Sequence, residues 1–487
     1  MQTRTPSASA GRCWRFERLL VEGRWESDVC VVVDGQGDIE AIGEECAPDR
    51  SAHGGAATCC ERVAGWTVPG VPDLHSHAFQ RALAGLVEGR GPRSFWRWRD
   101  AMYHFLAQMT PDDVEAIASQ LYIELLKGGF TAVGEFHYLH HAPDGSPYDD
   151  VAEMGRRVLA AARRAGIGLV HMPALYQVGG FDGRPLAGSQ RRFRLDLEGA
   201  LRMHAALAAD FVASGAELGW AIHSLRAAHA EAIGEMVEIL PGFAEGRGGP
   251  VVHIHLAEQE REAEECRALH GAGPVEWLLG SVPVDRRWCL VHATQASVQE
   301  LSEVARVGAA VGLCPATEAN LGDGLFPLPD FVRAGGRFGV GTDSHVARSV
   351  AEELRILDYG QRLAARSRSP VWGDTVGGAV KGSALSGAGG ALLARAWEDG
   401  CQALGWKAGR VARGRRADLV VLDAEHPALV GRDGPQLLDS WVFSGSDSPV
   451  RDVMVGGRWV VRDGRHGREE EVGLRYARTV RRLAQLG

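Results

Sequence analysis

Two histidines stand one residue apart in His75-Ser76-His77. Side chains of a strand alternate between its faces, so both imidazoles point the same way and two ring nitrogens can converge on one metal ion. Such a pair recurs by chance, so its weight comes from company further along the chain. His255 and Glu258 stand in HLAE, His292 in VHA, and Asp343 in GTDSH, each directly after an apolar, β-type run. Histidines and an aspartate at separate strand ends form a ligand set that packing alone does not require.

The remaining candidates read differently. His253 shares a face with His255 but sits deeper, as a satisfied core histidine would, while His137, His140 and His141 read as an exposed loop cluster. His104 and His229 fall in helical stretches, Cys314 before Pro315 reads as a small buried residue, and Arg191-Arg192 as a solvated face. No G-x-S-x-G elbow, phosphate-binding Walker loop or GxGxxG after a strand occurs, so acyl-serine, phosphoryl-transfer and dinucleotide chemistry lack their parts.

The elements that must position these groups alternate regularly. Apolar β-type runs at 66–74, 131–136, 167–176, 217–222, 250–256, 288–293, 309–314 and 337–342 are separated by helical stretches. Parallel βα units in that number predict a closed (β/α)8 barrel, whose active site sits where the strands end. Before it, runs at 28–33, 39–42 and 62–68 describe a small β unit. After it, helices over 350–364 and 384–404 lead to further β sequence at 417–423 and 450–457, and then to a helix over 468–486. The expected fold is α/β: a TIM-like barrel (69–405) with a small composite β-sandwich built from both chain ends (1–68 and 406–466) and a terminal helix (467–487).

The 487 residues carry a net charge of −9, which disfavours a broad nucleic-acid surface. The 45% hydrophobic content and 13 Trp exclude a disordered chain despite 63 Gly. Nine scattered cysteines without CxxC spacing read as reduced thiols, and neither a secretory leader nor a run of about 18 apolar residues appears. A cytoplasmic protein without membrane partners is expected.

HSHAFQRALAGL (75–86), SFWRWRDAMY (94–103), GFTAVGEFHYLHH (129–141), IHSLRA (222–227), HIHLAEQ (253–259), CPATEANLGDGLFP (314–327) and GTDSHVARSVAEELRILDYGQRL (341–363) resemble the N-formimino-L-glutamate deiminases of the amidohydrolase superfamily. The resemblance implies one zinc ion per subunit, held by His75, His77, His255 and Asp343. It implies proton transfer by Glu258, a hydrogen bond from His292 to the attacking water, and substrate binding by Gln80, Arg99, Tyr138, His223 and Arg226. It also implies a homodimer in which SFWRWRD approaches the neighbouring site. Gln295 and Ala316 depart from the histidine and threonine common at those places, and His223 stands where a carbamylated lysine would make the site binuclear.

Elementary chemistry agrees with the implied activity. Zinc lowers the pKa of a bound water to about 7, so hydroxide is available at neutral pH. Asp343 can accept the water proton, and Glu258 can protonate the imino nitrogen so that ammonia leaves. A dicarboxylate substrate calls for guanidinium forks, for which Arg99 and Arg226 are suited. The competing readings are deamination of a purine-type ring, which would need stacking and base-edge groups, and a non-catalytic dihydropyrimidinase-like scaffold, which would have lost ligands that are all present here.

Overall fold

The computed structural model describes residues 12–44, 60–86, 88, 102, 103, 105–243, 250–372, 383–445 and 447–485. Strands β1 (Arg12–Val21), β2 (Arg24–Val33), β3 (Ile39–Gly43) and β4 (Glu61–Pro69) precede the barrel. β1 was not expected. Its three arginines and Glu17 interrupt the apolar pattern, yet Trp14, Phe16 and Leu19 are buried while β1 pairs with both β2 and β4.

The barrel strands are β5 (Val71–Ser76), β6 (Phe130–His137), β7 (Gly168–Leu175), the short β8 (Glu217–Leu218), β9 (Trp220–Ser224), β10 (Val252–Leu256), β11 (Trp288–His292), β12 (Ala310–Leu313) and β13 (Arg337–Val340). All pair in parallel in chain order, with β8 set aside as a partner of β7. A bridge between Ser76 and Asp343 ties the last strand's end to the first. The run expected at 66–74 is in fact two strands broken at Gly70, where a Cβ would collide with the Thr131 side chain. Residues 217–222 likewise split into β8 and β9. In the first barrel helix, Thr110 and Asp113 form a reciprocal capping box at the start of Pro111–Lys127.

β14 (Leu419–Leu422), β15 (Val450–Val455), β16 (Arg458–Arg462) and β17 (Arg465–His466) complete the second sheet. β14 pairs antiparallel with β4, so the two chain ends form one sheet of order β17-β16-β15-β14-β4-β1-β2-β3. It has its own core of Trp14, Phe16, Val31, Val63, Leu419 and Met454. The terminal helix Glu469–Gln485 is fastened to the barrel by Lys127–Glu469 at 2.9 Å, Arg475–Glu115 at 2.7 Å, and Arg482 on Asp113.

Three expectations are corrected. Cys13 and Cys60 are joined by a disulfide, with Cys30 beside them, because parallel pairing of β1 and β4 sets distant thiols together; Cys266, Cys289, Cys314 and Cys401 are buried thiols as expected. Arg192 is fully buried and donates to the carbonyls of Leu106, Met109 and His141; its neighbour Arg191 alone is exposed. His137 and His140 are buried, and donate to the carbonyls of Leu139 and Ala174. Among the described residues no helix is long and apolar enough to cross a membrane.

Candidate functional site

Four side chains from three places in the barrel meet at one point. His75 lies near the end of β5, and His77 follows it at the entrance to the short 3₁₀ turn Ala78–Leu83. His255 belongs to β10, and Asp343 lies three residues past β13. The Nε2 atoms of His75 and His77 are 3.1 Å apart, those of His77 and His255 3.2 Å, and those of His255 and His75 2.9 Å. Asp343 Oδ1 is 3.3 Å from His77 Nε2 and 3.6 Å from His75 Nε2. All four residues are buried.

The backbone holds this register. The His77 N–H donates to the Asp343 carbonyl at 3.2 Å, and the Asp343 N–H donates to the His75 carbonyl at 2.9 Å. Thr342 donates its N–H and its hydroxyl to Asp73 at 2.9 and 2.6 Å, which pins β13 to β5 from below. Glu135 of β6 accepts from Ser76 Oγ, the Ala78 N–H and the Tyr122 hydroxyl at 2.8, 2.8 and 3.0 Å, fixing both neighbours of His77. Burial pushes the Asp73 carboxyl up to about 7 and that of Glu135 up to about 8.

The donor chemistry of the cluster fits a metal ion. His77 Nδ1 donates to the Phe136 carbonyl at 2.7 Å and His255 Nδ1 to the His223 carbonyl at 2.8 Å. In the neutral tautomer each therefore turns a bare Nε2 lone pair inward, and second-partner bonds of this kind commonly orient metal-ligating histidines. Burial keeps all three imidazoles below their ordinary pKa, in the neutral form that ligates. Lone pairs about 3 Å apart repel unless a cation lies between them, and nitrogens bound to one zinc at ~2.0–2.1 Å have comparable spacing.

Above the ligands opens a cavity of about 280 Å³, lined by His77, Gln80, Tyr138, His223, Arg226, Glu258, His292 and Asp343 among others. Every substrate and proton-transfer residue expected from the sequence therefore faces it, except Arg99, which lies outside the described residues with the SFWRWRD segment and His104. Gln80 donates to the Tyr138 hydroxyl at 2.8 Å while its own Oε1 is buried without a partner. Arg226 brings Nη2 to 3.9 Å from Glu258 Oε2, and its Nε is likewise buried and unpaired. His253 is apart from the cluster, donating Nε2 to the Ala403 carbonyl at 3.0 Å.

Glu258 lies just past β10, where burial raises its pKa against the opposing pull of His292 and Arg226. His292 ends β11 with Nε2 3.9 Å from Asp343 Oδ2 and Nδ1 3.2 Å from Glu318 Oε1. Burial works against charge on His292, but Glu258, Glu318 and Asp343 outweigh it and push the imidazole up to about 10. His292, Ala293, Asp343 and His345 all hold positive φ of 47–69°, a conformation that costs side-chain-bearing residues energy and clusters at functional sites.

Sequence reasoning passed over Tyr176 and Glu262, which also line the cavity. Tyr176 sets its ring 4.4 Å from that of His223, tilted by 59°; its place at the end of a barrel-strand run was the available signal. Glu262 carried none, since it is one of several glutamates in the helix Glu260–His270.

Residues 66–460 match the model of the amidohydrolase family. The chain is 46% identical over 472 residues to formimidoylglutamate deiminase of Pseudomonas aeruginosa, covering 96% of this chain and 98% of that one. It is 28% identical to 5-methylthioadenosine/S-adenosylhomocysteine deaminase of Natronomonas pharaonis, covering 94% and 93%. Among solved structures, an amidohydrolase from Brucella melitensis superposes with a TM-score of 0.86 at 40% identity, covering 97% of this chain and 100% of that one. A zinc-bound adenosine deaminase from Xanthomonas campestris superposes at 0.75 with 19% identity over 99% and 100%, a likeness of fold.

Proposed function

The chain belongs to the amidohydrolase family, and we propose that within it the chain hydrolyses N-formimino-L-glutamate to N-formyl-L-glutamate and ammonia, the activity for which its Pseudomonas aeruginosa relative is named. The observation that carries this reading is the pairing, at one cavity, of the four converging side chains with Glu258 and the guanidinium of Arg226. A metal-activated water needs the first group, a departing ammonia needs the acid, and a carboxylate on the substrate needs the guanidinium.

His75, His77, His255 and Asp343 would hold one zinc ion per subunit. Bound there, the ion lowers the pKa of water so that a nucleophile forms at neutral pH. Asp343, at the rim of the ligand set, accepts the proton of the attacking water. Glu258, whose carboxyl burial pushes above its ordinary pKa, gives a proton to the imino nitrogen and regains one from the hydroxyl as the tetrahedral carbon collapses, while the proton held by Asp343 completes the ammonia that leaves. His292 orients the water and steadies charge as it develops. Arg226, with Arg99, takes the substrate carboxylates, while Gln80, Tyr138 and His223 line the path to the reacting carbon. A cytoplasmic homodimer completes the proposal.

Ammonia release from N-formimino-L-glutamate tests it, with N-formimino-L-aspartate and guanine as controls and elemental analysis of the same preparation. Turnover of the first substrate in large excess over both controls, with zinc near one per chain, is expected. Preferred turnover of guanine would replace this reading with ring deamination.

A further inference from the structure

His292 has two ring nitrogens, and only Nε2 faces the reacting centre, 3.9 Å from Asp343 Oδ2. The opposite nitrogen, Nδ1, lies 3.2 Å from Oε1 of Glu318, and both residues are buried. Glu318 sits in the short helix Pro315–Leu321 that follows β12, directly after the strand end at Leu313. The same Oε1 accepts the backbone N–H of Cys314 at 2.8 Å, so the carboxylate is anchored to its own strand end before it meets the imidazole. An oxygen already accepting from a backbone N–H acts as an acceptor toward the ring as well, which places a proton on Nδ1.

We propose that Glu318 is the positioning residue for His292: it binds the Nδ1–H, fixes the ring's orientation, and so determines where Nε2 stands toward the attacking water. The assignment rests on the deiminase reading of the site and deepens it. His292 needs such a partner because it holds a left-handed backbone, φ 69°, with Ala293 after it at φ 50°. On its cavity side Nε2 is 3.9 Å from Asp343 Oδ2, too far for a hydrogen bond. A ring without its rear hydrogen bond could rotate, and Nε2 would then leave the place from which it meets the water. Glu318 lies within CPATEAN, and its place there gives no hint of this role, because His292 approaches from the neighbouring strand β11.

The test uses purified, zinc-loaded protein and formiminoglutamate. E318L removes the acceptor and should lower kcat roughly 10–100-fold, as loss of an outer-shell partner commonly does, with KM little changed and zinc content unaltered. E318Q keeps an oxygen that both the Cys314 N–H and His292 Nδ1–H can reach, so it should restore most of that loss. In an H292N background, E318L should cost no more than about twofold, since the residue acts through His292. An equal loss in both backgrounds, or loss of zinc with activity, would overturn the assignment and make Glu318 a structural or ligating group. If E318L does not fold, nitrogen-15 spectra of histidine-labelled parent protein decide the matter, with the His292 signal assigned by its absence from H292N. A protonated Nδ1 supports the proposal, and a bare Nδ1 refutes it. Failure of the deiminase reading itself would appear separately, as absence of ammonia release by the unmodified protein.

Discussion

Replacing Arg226 by lysine changes geometry while keeping charge. Arg226 Nη2 is 3.9 Å from Glu258 Oε2, and the side chain lines the cavity with about a third of its surface open, so its accessible nitrogens can meet a substrate carboxylate. Lysine would preserve the positive field that Glu258 feels but offers a point charge where a planar fork stood. A hydrogen bond to a charged group is worth about 1.5–3 kcal/mol. At about 1.4 kcal/mol per tenfold, losing one such contact lowers kcat/KM roughly 10–150-fold. Coupled ammonia detection on formiminoglutamate measures it, alongside two shortened substrates, formiminoglycine and N-formimino-4-aminobutyrate, which lack the side-chain and the α-carboxylate respectively. The mutation should matter far less for the shortened substrate that lacks the partner carboxylate, because the contact is already gone. Equal losses on all three substrates would refute the reasoning and leave Arg226 as a support of Glu258 or of the fold.

Removal of metal by a strong chelator should abolish turnover, and H255A or D343A should lose both zinc and activity; full activity after exhaustive chelation, or two ions per chain, contradicts a mononuclear site. E258Q should retain the zinc and lose about 10²–10⁴ in kcat, as general-acid removal does, whereas loss of zinc would move Glu258 into the ligand set. Glu353 gives a pH test of stability. Burial holds its carboxyl well above the usual range, against the Ala316 N–H that donates to it at 2.9 Å. The folded chain thus keeps a proton that the unfolded chain releases near pH 4, and stability falls as pH rises from there toward the folded pKa. E353Q removes that dependence, so thermal melts should show the variant gaining on its parent between about pH 5 and about pH 8; a constant difference across the range would contradict it.

Much of this protein is written locally. The barrel was legible because each strand is a short apolar run closed by a turn, and the convergence of His75, His77, His255 and Asp343 because they stand within three residues of strand ends. The alternation rule alone puts His75 and His77 on one side. The joining of both chain ends was legible because β-type sequence resumes beyond the barrel, where β14, an uninterrupted apolar run, pairs with β4. What the sequence could not decide is what each side chain meets across the fold. Arg191 and Arg192 look alike in the chain, yet one is solvated and the other binds carbonyls of a distant segment. Cys13 and Cys60 become partners only through the parallel register of β1 and β4, and β1 escaped notice because its charged residues lie on the face turned from its core. Glu318 is one glutamate among many until β11 and β12 pair and bring His292 against it. Periodicity reports the backbone's local preference and which face is apolar; hydrogen-bond partners between segments depend on distances that only the closed barrel sets.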